Sequence, residues 1–213
     1  MSRMTAEDIV NTTRRTLGNP DTDTLSDTDI LRYLNQVYYR LSGRFDHPEL
    51  RSITTVATVS GTAEYELSAT DIASFLDAVD TTNTSPIVMI SQDMYYQWDS
   101  GVGTTGTPTH FFVSGSSSNA LKVTFYPKPD SVCTIVFPYI KRPAELVLSP
   151  TPTSPILNEA WDEALLSATV AKSAKAIGDY ERATTFMAEY TSLVNEIFPG
   201  TIHSPNVDYP IWG

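Results

Sequence analysis

The sequence predicts an α+β fold: a helical bundle built from N- and C-terminal helix pairs, with an inserted antiparallel β-sandwich or barrel-like domain. Apolar residues recur at helical spacing before about residue 50 and after about residue 155. The residues between these segments are rich in Thr, Ser, Val, Ile and Tyr, which favours strands. Of the 213 residues 41% are apolar, which is enough for one hydrophobic core.

These patterns divide the chain into five segments. We expect the N-terminal helical part of the bundle at residues 1–50, the inserted β-rich domain at 51–147, a proline-rich linker at 148–157, a helical hairpin at 158–198 and a C-terminal arm at 199–213.

Two helices are predicted in the first segment. The first begins at Thr5 or Ala6 and ends at Leu17, because Gly18-Asn19-Pro20 stops it. The second follows Ser26, a good N-cap with acidic residues in the next turn, and should end near Gly43. Its apolar face consists of Ile30, Leu34, Val37, Tyr38 and Leu41.

The middle segment predicts short strands separated by turns. Gly61 lies in a turn that should fold residues 53–59 and 64–67 into a hairpin. A short helix capped by Ser91 is expected at 91–98, and loops are expected at 101–106, 114–119 and 126–130. The other strand candidates are residues 75–79, 87–90, 109–113, 121–126 and 132–140.

Two further helices are predicted after the linker, in which three prolines preclude regular helix. Asn158 can cap the first, which ends near Ile177, and the second runs from about Tyr180 to Phe198. A stripe of alanines on the first lets another helix approach closely: Ala160, Ala164, Ala168, Ala171 and Ala174.

Composition excludes several classes of function. The net charge of −11 argues against wrapping nucleic acid through phosphate contacts. No apolar run reaches the roughly 18 residues of a membrane span, and the N-terminus lacks the apolar core of a signal peptide, so we expect no membrane partner and no export. A single cysteine cannot form an internal disulfide bond.

No catalytic, cofactor or metal motif is present. The glycines of residues 101–106 lack the Lys-Ser/Thr of a phosphate loop, and the three histidines are far apart in sequence. Cys133 is expected to be a buried, inert thiol. The aspartates at 21–29 lack the glycine and terminal glutamate of a calcium loop, so we expect a solvated loop that leads into a helix cap.

Three features follow one another along the chain in an informative order. The first is the helical segment 29–38, followed by Phe45, and the second is the pair of strand segments 54–56 and 61–67, with Gly106-Thr107-Pro108 and residues 125–129 after them. The third is the strand that ends at 139–143, followed by Leu146 and an alanine-rich helical pair with Gly178-Asp179 at its turn. This order resembles that of the head–tail adaptor (connector) proteins of tailed bacteriophages.

This resemblance implies a structural virion protein without catalytic activity or cofactor. It implies a ring of twelve copies between the portal protein and the next tail or nozzle component, with a lumen that passes DNA without sequence-specific binding. The protein would assemble in the bacterial host cytoplasm and remain at the head–tail interface of the virion. The C-terminal arm would dock on the portal through Ile202, Tyr209, Pro210, Ile211 and Trp212. Candidate tail-facing loop residues are Gly101, Gly103, Thr105, Gly106, Ser116, Ser117 and Asn119.

Three other interpretations stay open at the sequence level. A tail-tube or tail-completion protein would share the ring and the β-rich part. A monomeric carbohydrate- or protein-binding module could use Tyr95, Tyr96 and Trp98 as an exposed platform. An enzyme has the least support, because the sequence offers no nucleophile–base pair.

Overall fold

The helices and strands of this mixed α+β protein segregate into two units of the chain. The computed structural model describes residues 3–45, 47–98, 103–115 and 121–198. One unit, here called the helical unit, comprises Met1–Glu49 with Pro143–Gly213, and the other, the strand unit, comprises Leu50–Arg142.

Each predicted helix is present among the described residues. They are α1 (Ala6–Thr16), α2 (Asp27–Arg44), α3 (Gln92–Trp98), α4 (Asp162–Ala176) and α5 (Tyr180–Ile197). The side chains of Thr5, Ser26 and Asp179 accept hydrogen bonds from backbone N–H groups in the first turns of α1, α2 and α5. The predicted Ser26 cap is therefore confirmed, and the chain stops α1 with Gly18 and Asn19 at positive φ.

Helix α4 lies at the centre of the helical unit and packs against α1, α2 and α5. Four of the five alanines in the predicted stripe are buried, and small side chains let neighbouring helices approach closely. Ala160 is the exception, because it is exposed in a short 3-10 turn, Glu159–Trp161, that precedes α4.

The proline-rich residues 148–157 form no regular helix, as predicted, but they pack on the helices. The Ile156 N–H donates to the Tyr38 hydroxyl at 2.9 Å. The Thr153 carbonyl accepts from the Ala6 N–H at 2.7 Å. These bonds fix the segment to α1 and α2.

The described residues of the strand unit form three sheets. The largest has the order β1-β11-β4-β5, with β3 also paired to β11, and the others have the orders β2-β9-β8-β6 and β10-β7. The strands are β1 (Arg51–Ala57), β2 (Glu64–Glu66), β3 (Ile72–Phe75), β4 (Val79–Asp80), β5 (Ser85–Pro86), β6 (Val88–Met89), β7 (Thr105–Gly106), β8 (His110–Gly115), β9 (Leu121–Tyr126), β10 (Lys128–Pro129) and β11 (Thr134–Lys141).

The predicted hairpin of residues 53–67 is wrong. Strand β1 pairs with β11, with Arg51 opposite Ile140, whereas β2 pairs with β9 in the other sheet. Gly61, at φ +79°, donates its N–H to the Pro129 carbonyl as the chain crosses between the sheets. Alternation of apolar residues fixes which side of a strand is buried but does not identify its partner.

The expectation of purely antiparallel sheets is also wrong. Strands β6 and β8 are parallel, as are β7 and β10. The predicted loop at 114–119 begins later than expected, because Ser114 and Gly115 continue β8 opposite Lys122 and Leu121.

Both larger sheets contribute to one hydrophobic core in the strand unit. Phe137 and Ile135 come from β11, and Phe111 and Phe125 come from β8 and β9. All four side chains are at most 1% exposed. This shared core fixes the two sheets to each other and positions the loops at their ends.

Candidate functional site

The residues predicted to dock on the portal lie outside the described part of the chain. These are Ile202, Tyr209, Pro210, Ile211 and Trp212. Four of the candidate tail-facing residues, Gly101, Ser116, Ser117 and Asn119, also lie outside it.

The remaining candidate tail-facing residues, Gly103, Thr105 and Gly106, belong to a structured connection. Thr105 and Gly106 form β7 and pair in parallel with Lys128 and Pro129. Gly103 has φ +60°, a left-handed conformation that glycine adopts at little cost. The prediction of a loop is therefore wrong for Thr105 and Gly106, because a neighbouring turn supplies a pairing partner distant in sequence.

The aromatic residues of α3 do not form one exposed platform. Tyr95 is buried, with its ring 4.8 Å from that of Phe112. Tyr96 and Trp98 are 59% and 40% exposed, and Trp98 packs edge-on against His110 at 4.9 Å. Tyr95 therefore serves mainly to attach α3 to β8.

Cys133 is buried, as predicted, and has a structural environment. Its sulfur lies 3.1 Å from the Thr58 hydroxyl, and its N–H donates to the same oxygen at 2.8 Å. Burial raises the pKa of the thiol, which disfavours the reactive thiolate.

No group of three or more His, Cys, Asp or Glu side chains within the described ranges could hold a metal ion. His47 packs edge-on against Trp161, and its Nε2 lies 3.1 Å from the Leu41 carbonyl oxygen. His110 hydrogen-bonds through Nδ1 to the Thr109 hydroxyl at 2.9 Å. Both histidines thus have structural partners.

A cationic groove, which sequence analysis did not identify, lies among α2, α4 and α5 of the helical unit. Arg40 and Arg44 line one side, Lys172 and Tyr190 line the other, and the Lys172 ammonium donates to the Gln36 side chain at 2.7 Å. Buried Val37 and Ala168 complete the lining. The residues 36, 40 and 44 form a stripe with helical spacing, which was the available sequence signal. The contributions of α4 and α5 depend on tertiary packing.

The electrostatics of this groove favour an anion. Burial, and then the charge of Arg40, lowers the pKa of Lys172. Burial raises the pKa of Tyr190, and the charges of Arg44 and Arg40 oppose that shift. In the part of the chain that the structure describes, no carboxylate forms a salt bridge with Arg40, Arg44 or Lys172.

Comparison with protein families identifies the chain. The family model of the SU10 adaptor protein matches residues 4–207, nearly the whole sequence. The chain belongs to the SU10 adaptor protein family. It is therefore a structural adaptor protein of a bacteriophage and a component of the virion, in agreement with the resemblance noted from the sequence.

No curated protein matches the chain significantly. None of the helices in the described ranges combines the length and the apolar character needed to cross a membrane.

Proposed function

We propose that this protein is a head–tail adaptor that forms a ring, of twelve copies, between the portal and the tail and leaves a channel for DNA. The observation that carries this proposal is the match of one adaptor family model to residues 4–207. In this role the protein performs no catalytic step and needs no cofactor. It assembles in the bacterial host cytoplasm and stays at the head–tail interface.

The charge of the chain suits a passage for DNA. With −11 on each copy, twelve copies carry about −130. An acidic lumen repels phosphates, so DNA can slide without breaking ion pairs along its way.

Within this proposal, the helical unit is a four-helix bundle and the strand unit is a sandwich-like insertion in it. Supporting this, α4 contacts α1, α2 and α5, and the two larger sheets share one core. The linker at 148–157 would then fix the second helix pair on the first.

The C-terminal arm, residues 199–213, is proposed to dock on the portal through Ile202, Tyr209, Pro210, Ile211 and Trp212. Aromatic side chains are frequent anchors at protein interfaces, which supports this choice. The next tail component is proposed to contact seven residues, namely Gly101, Gly103, Thr105, Gly106, Ser116, Ser117 and Asn119. In the sequence these seven residues lie within the strand unit, whereas the arm follows α5.

The test is the native mass of the full chain, alone and mixed with the portal ring of the same phage. We expect a stoichiometric ring of the protein on the portal. A closed ring that ignores the portal would instead indicate a tail-tube or tail-completion protein. A monomer that ignores the portal would contradict both virion roles and favour a monomeric binding module.

The proposed arm makes a specific prediction: Trp212→Ala weakens portal binding more than it weakens folding. A hot-spot aromatic typically contributes about 2 kcal/mol or more to binding, which corresponds to roughly a 30-fold rise in Kd. The measurements are Kd for the portal ring and the melting temperature of the free chain. Tyr180→Ala is the control, since Tyr180 is 65% exposed on α5 outside the arm. Equal losses in binding and stability would contradict the docking assignment.

A further inference from the structure

The cationic groove brings together three positive charges that no carboxylate neutralises within the described residues. Among the described residues, the Lys172 ammonium donates a hydrogen bond to the Gln36 side chain alone, and Arg44 packs over the Phe45 ring at 5.5 Å. The Tyr190 residue is 9% exposed, and its hydroxyl has no hydrogen-bond partner among the described residues. A carboxylate at the groove would find positive charge on α2 and α4 and a hydroxyl donor on α5.

This arrangement is unusual for a chain with 14 basic and 25 acidic residues. Three like charges in one groove repel one another, and partial burial of Lys172 strengthens that repulsion. The groove is therefore suited to an anionic group supplied from outside the same chain.

The helical unit also presents a matching acidic segment. The loop between α1 and α2 carries Asp21 and Asp23, which are exposed and form no salt bridge with the described residues. We call residues 21–25 the acidic loop.

Arg14 holds the acidic loop in place. Its guanidinium donates to the carbonyls of Pro20 at 2.7 Å and Leu25 at 2.8 Å, on both sides of the aspartates. It also pairs with Asp27 at 2.5 Å. The loop is thus ordered before any partner binds, which lowers the entropic cost of docking.

The acidic loop cannot enter the groove of its own chain. The loop precedes the N-terminus of α2, whereas Arg40 and Arg44 lie in its last turns. The 13 residues from Asp27 to Arg40 span about 20 Å along the helix, which is far beyond the reach of an aspartate. The two surfaces can therefore meet only between copies.

We propose that the cationic groove of one copy binds the acidic loop of the neighbouring copy. Asp21 and Asp23 would form ion pairs with Arg40, Arg44 and Lys172. Contact between two different surfaces is heterologous, and such contacts close into rings when the rotation per copy permits. The inference rests on the proposed ring, and it identifies which charged residues join adjacent copies.

A carboxylate of another copy fits better than a DNA phosphate. The net charge of −11 disfavours a polyanion, whereas one acidic loop presents two charges on an ordered backbone. Binding of DNA at the groove is therefore the alternative that the experiment must separate.

The experiment reverses the charge of each surface in the full chain. The groove variant is Arg40→Glu with Arg44→Glu, and the loop variant is Asp21→Lys with Asp23→Lys. Each variant alone should lose self-association, because like charges then face each other at every contact. An equimolar mixture should assemble, with the two variants alternating, because every contact is again between opposite charges. The control, Arg32→Glu with Arg142→Glu, makes the same change of charge at two exposed arginines outside the groove.

Native mass measurements on the wild type, the variants and the mixture, each with and without the portal ring, give the result. We expect self-association to weaken at least about tenfold in each separate variant and to return in a 1:1 assembly of the mixture. Circular dichroism and melting should show that all variants fold, since all substituted residues are exposed.

Three outcomes would overturn the proposal. If the groove variant assembles like the wild type, the groove contact is wrong while the adaptor role stands. A second observation would then identify the groove as a DNA site. In that case both charge-reversed variants assemble like the wild type, and the wild type binds a short DNA duplex that the groove variant does not bind. If the wild type stays monomeric alone and with the portal ring, both the contact and the adaptor role fail.

Discussion

The two units of this protein are stabilised in different ways. In the strand unit, aromatic rings pack closely: Phe137 lies 5.3 Å from Phe111, 5.7 Å from Phe75 and 6.1 Å from Phe125. In the helical unit, polar side chains on the helices bond to backbone groups more than a hundred residues away. Short, irregular strands thus depend on the volume of their core, whereas preformed helices need bonds that fix the segments between them.

Asn35 provides the clearest of the bonds in the helical unit. Its side-chain nitrogen donates to the Leu146 carbonyl at 3.0 Å, and its side-chain oxygen accepts from the Leu146 N–H at 2.8 Å. Asn35 is 5% exposed and Leu146 is 2% exposed, so water does not easily replace either bond. Met4 and Ile156 are attached in the same way, through the side chains of Asp162 and Tyr38.

The largest expected effect is on the strand unit. Phe137→Ala removes the ring at the centre of the aromatic cluster and should destabilise this unit by about 3–5 kcal/mol through the cavity that it leaves. Hydrogen exchange measured in increasing urea shows in which unit the stability is lost. Ile53→Ala is the control, because Ile53 is 65% exposed and its loss should cost less than about 0.5 kcal/mol. If both substitutions lower the free energy of unfolding equally, the stability of the strand unit does not depend on the volume of its core.

A smaller loss is expected in the helical unit from Asn35→Ala. The substitution leaves the buried N–H and carbonyl of Leu146 without partners, and we expect a cost of about 2–3 kcal/mol. The same hydrogen-exchange measurement should show the change in the helical unit. Asn11→Ala on the exposed surface of α1 is the matched control. If Asn35→Ala destabilises the helical unit no more than this control does, the hydrogen bonds to Leu146 do not stabilise that unit.

The smallest effects concern pH, and they should have opposite signs in the two units. Burial raises the pKa of Asp80, but hydrogen bonds from Asn83 and Thr82 outweigh it, so the pKa lies below its usual 3.8. Burial raises the pKa of Asp162 above 3.8, and its Oδ1 atom has no hydrogen-bond partner within the described chain. Asp80 therefore contributes stability above pH 3.8 that is lost as pH falls through its lowered pKa. The contribution of Asp162 is fully present below pH 3.8 and is lost as pH rises through its raised pKa.

The corresponding variants test these signs. At neutral pH, Asp80→Asn should destabilise the strand unit, and Asp162→Asn should stabilise the helical unit. Both differences from the wild type should diminish as the pH falls, because protonation removes the charge that each substitution deletes. Urea unfolding followed by hydrogen exchange at several pH values provides the measurement. If both substitutions change the free energy of unfolding in the same direction at neutral pH, the pKa directions assigned to Asp80 and Asp162 are contradicted.

The sequence allowed the helices to be predicted better than the strand pairing. A helix is defined by neighbouring residues, so Gly18 marks the end of α1 and Ser26 the start of α2 wherever these helices later pack. A strand is defined by a partner, and the partner of β1 is β11, about 80 residues away. The turn at Gly61 therefore suggested a hairpin that does not exist.

The candidate sites were likewise predictable where they depend on local sequence and not where they depend on distant residues. The order of the motifs pointed to the adaptor family, and the family match agrees with it. The pairing of Thr105 and Gly106 with a distant turn was not predictable from their own residues. Of the groove, only the stripe of Gln36, Arg40 and Arg44 could have been found in the sequence.

The sequence by itself determined the α+β class, the helices and their caps, and the buried thiol of Cys133, because these depend on local periodicity, on neighbouring side chains and on hydrophobicity. Tertiary structure alone decided which strands pair and which charges meet. Lys172 and Tyr190 join the arginines of α2 only because the alanines of α4 allow three helices to pack closely. Close packing of segments distant in sequence thus creates a concentration of charge that no single segment carries.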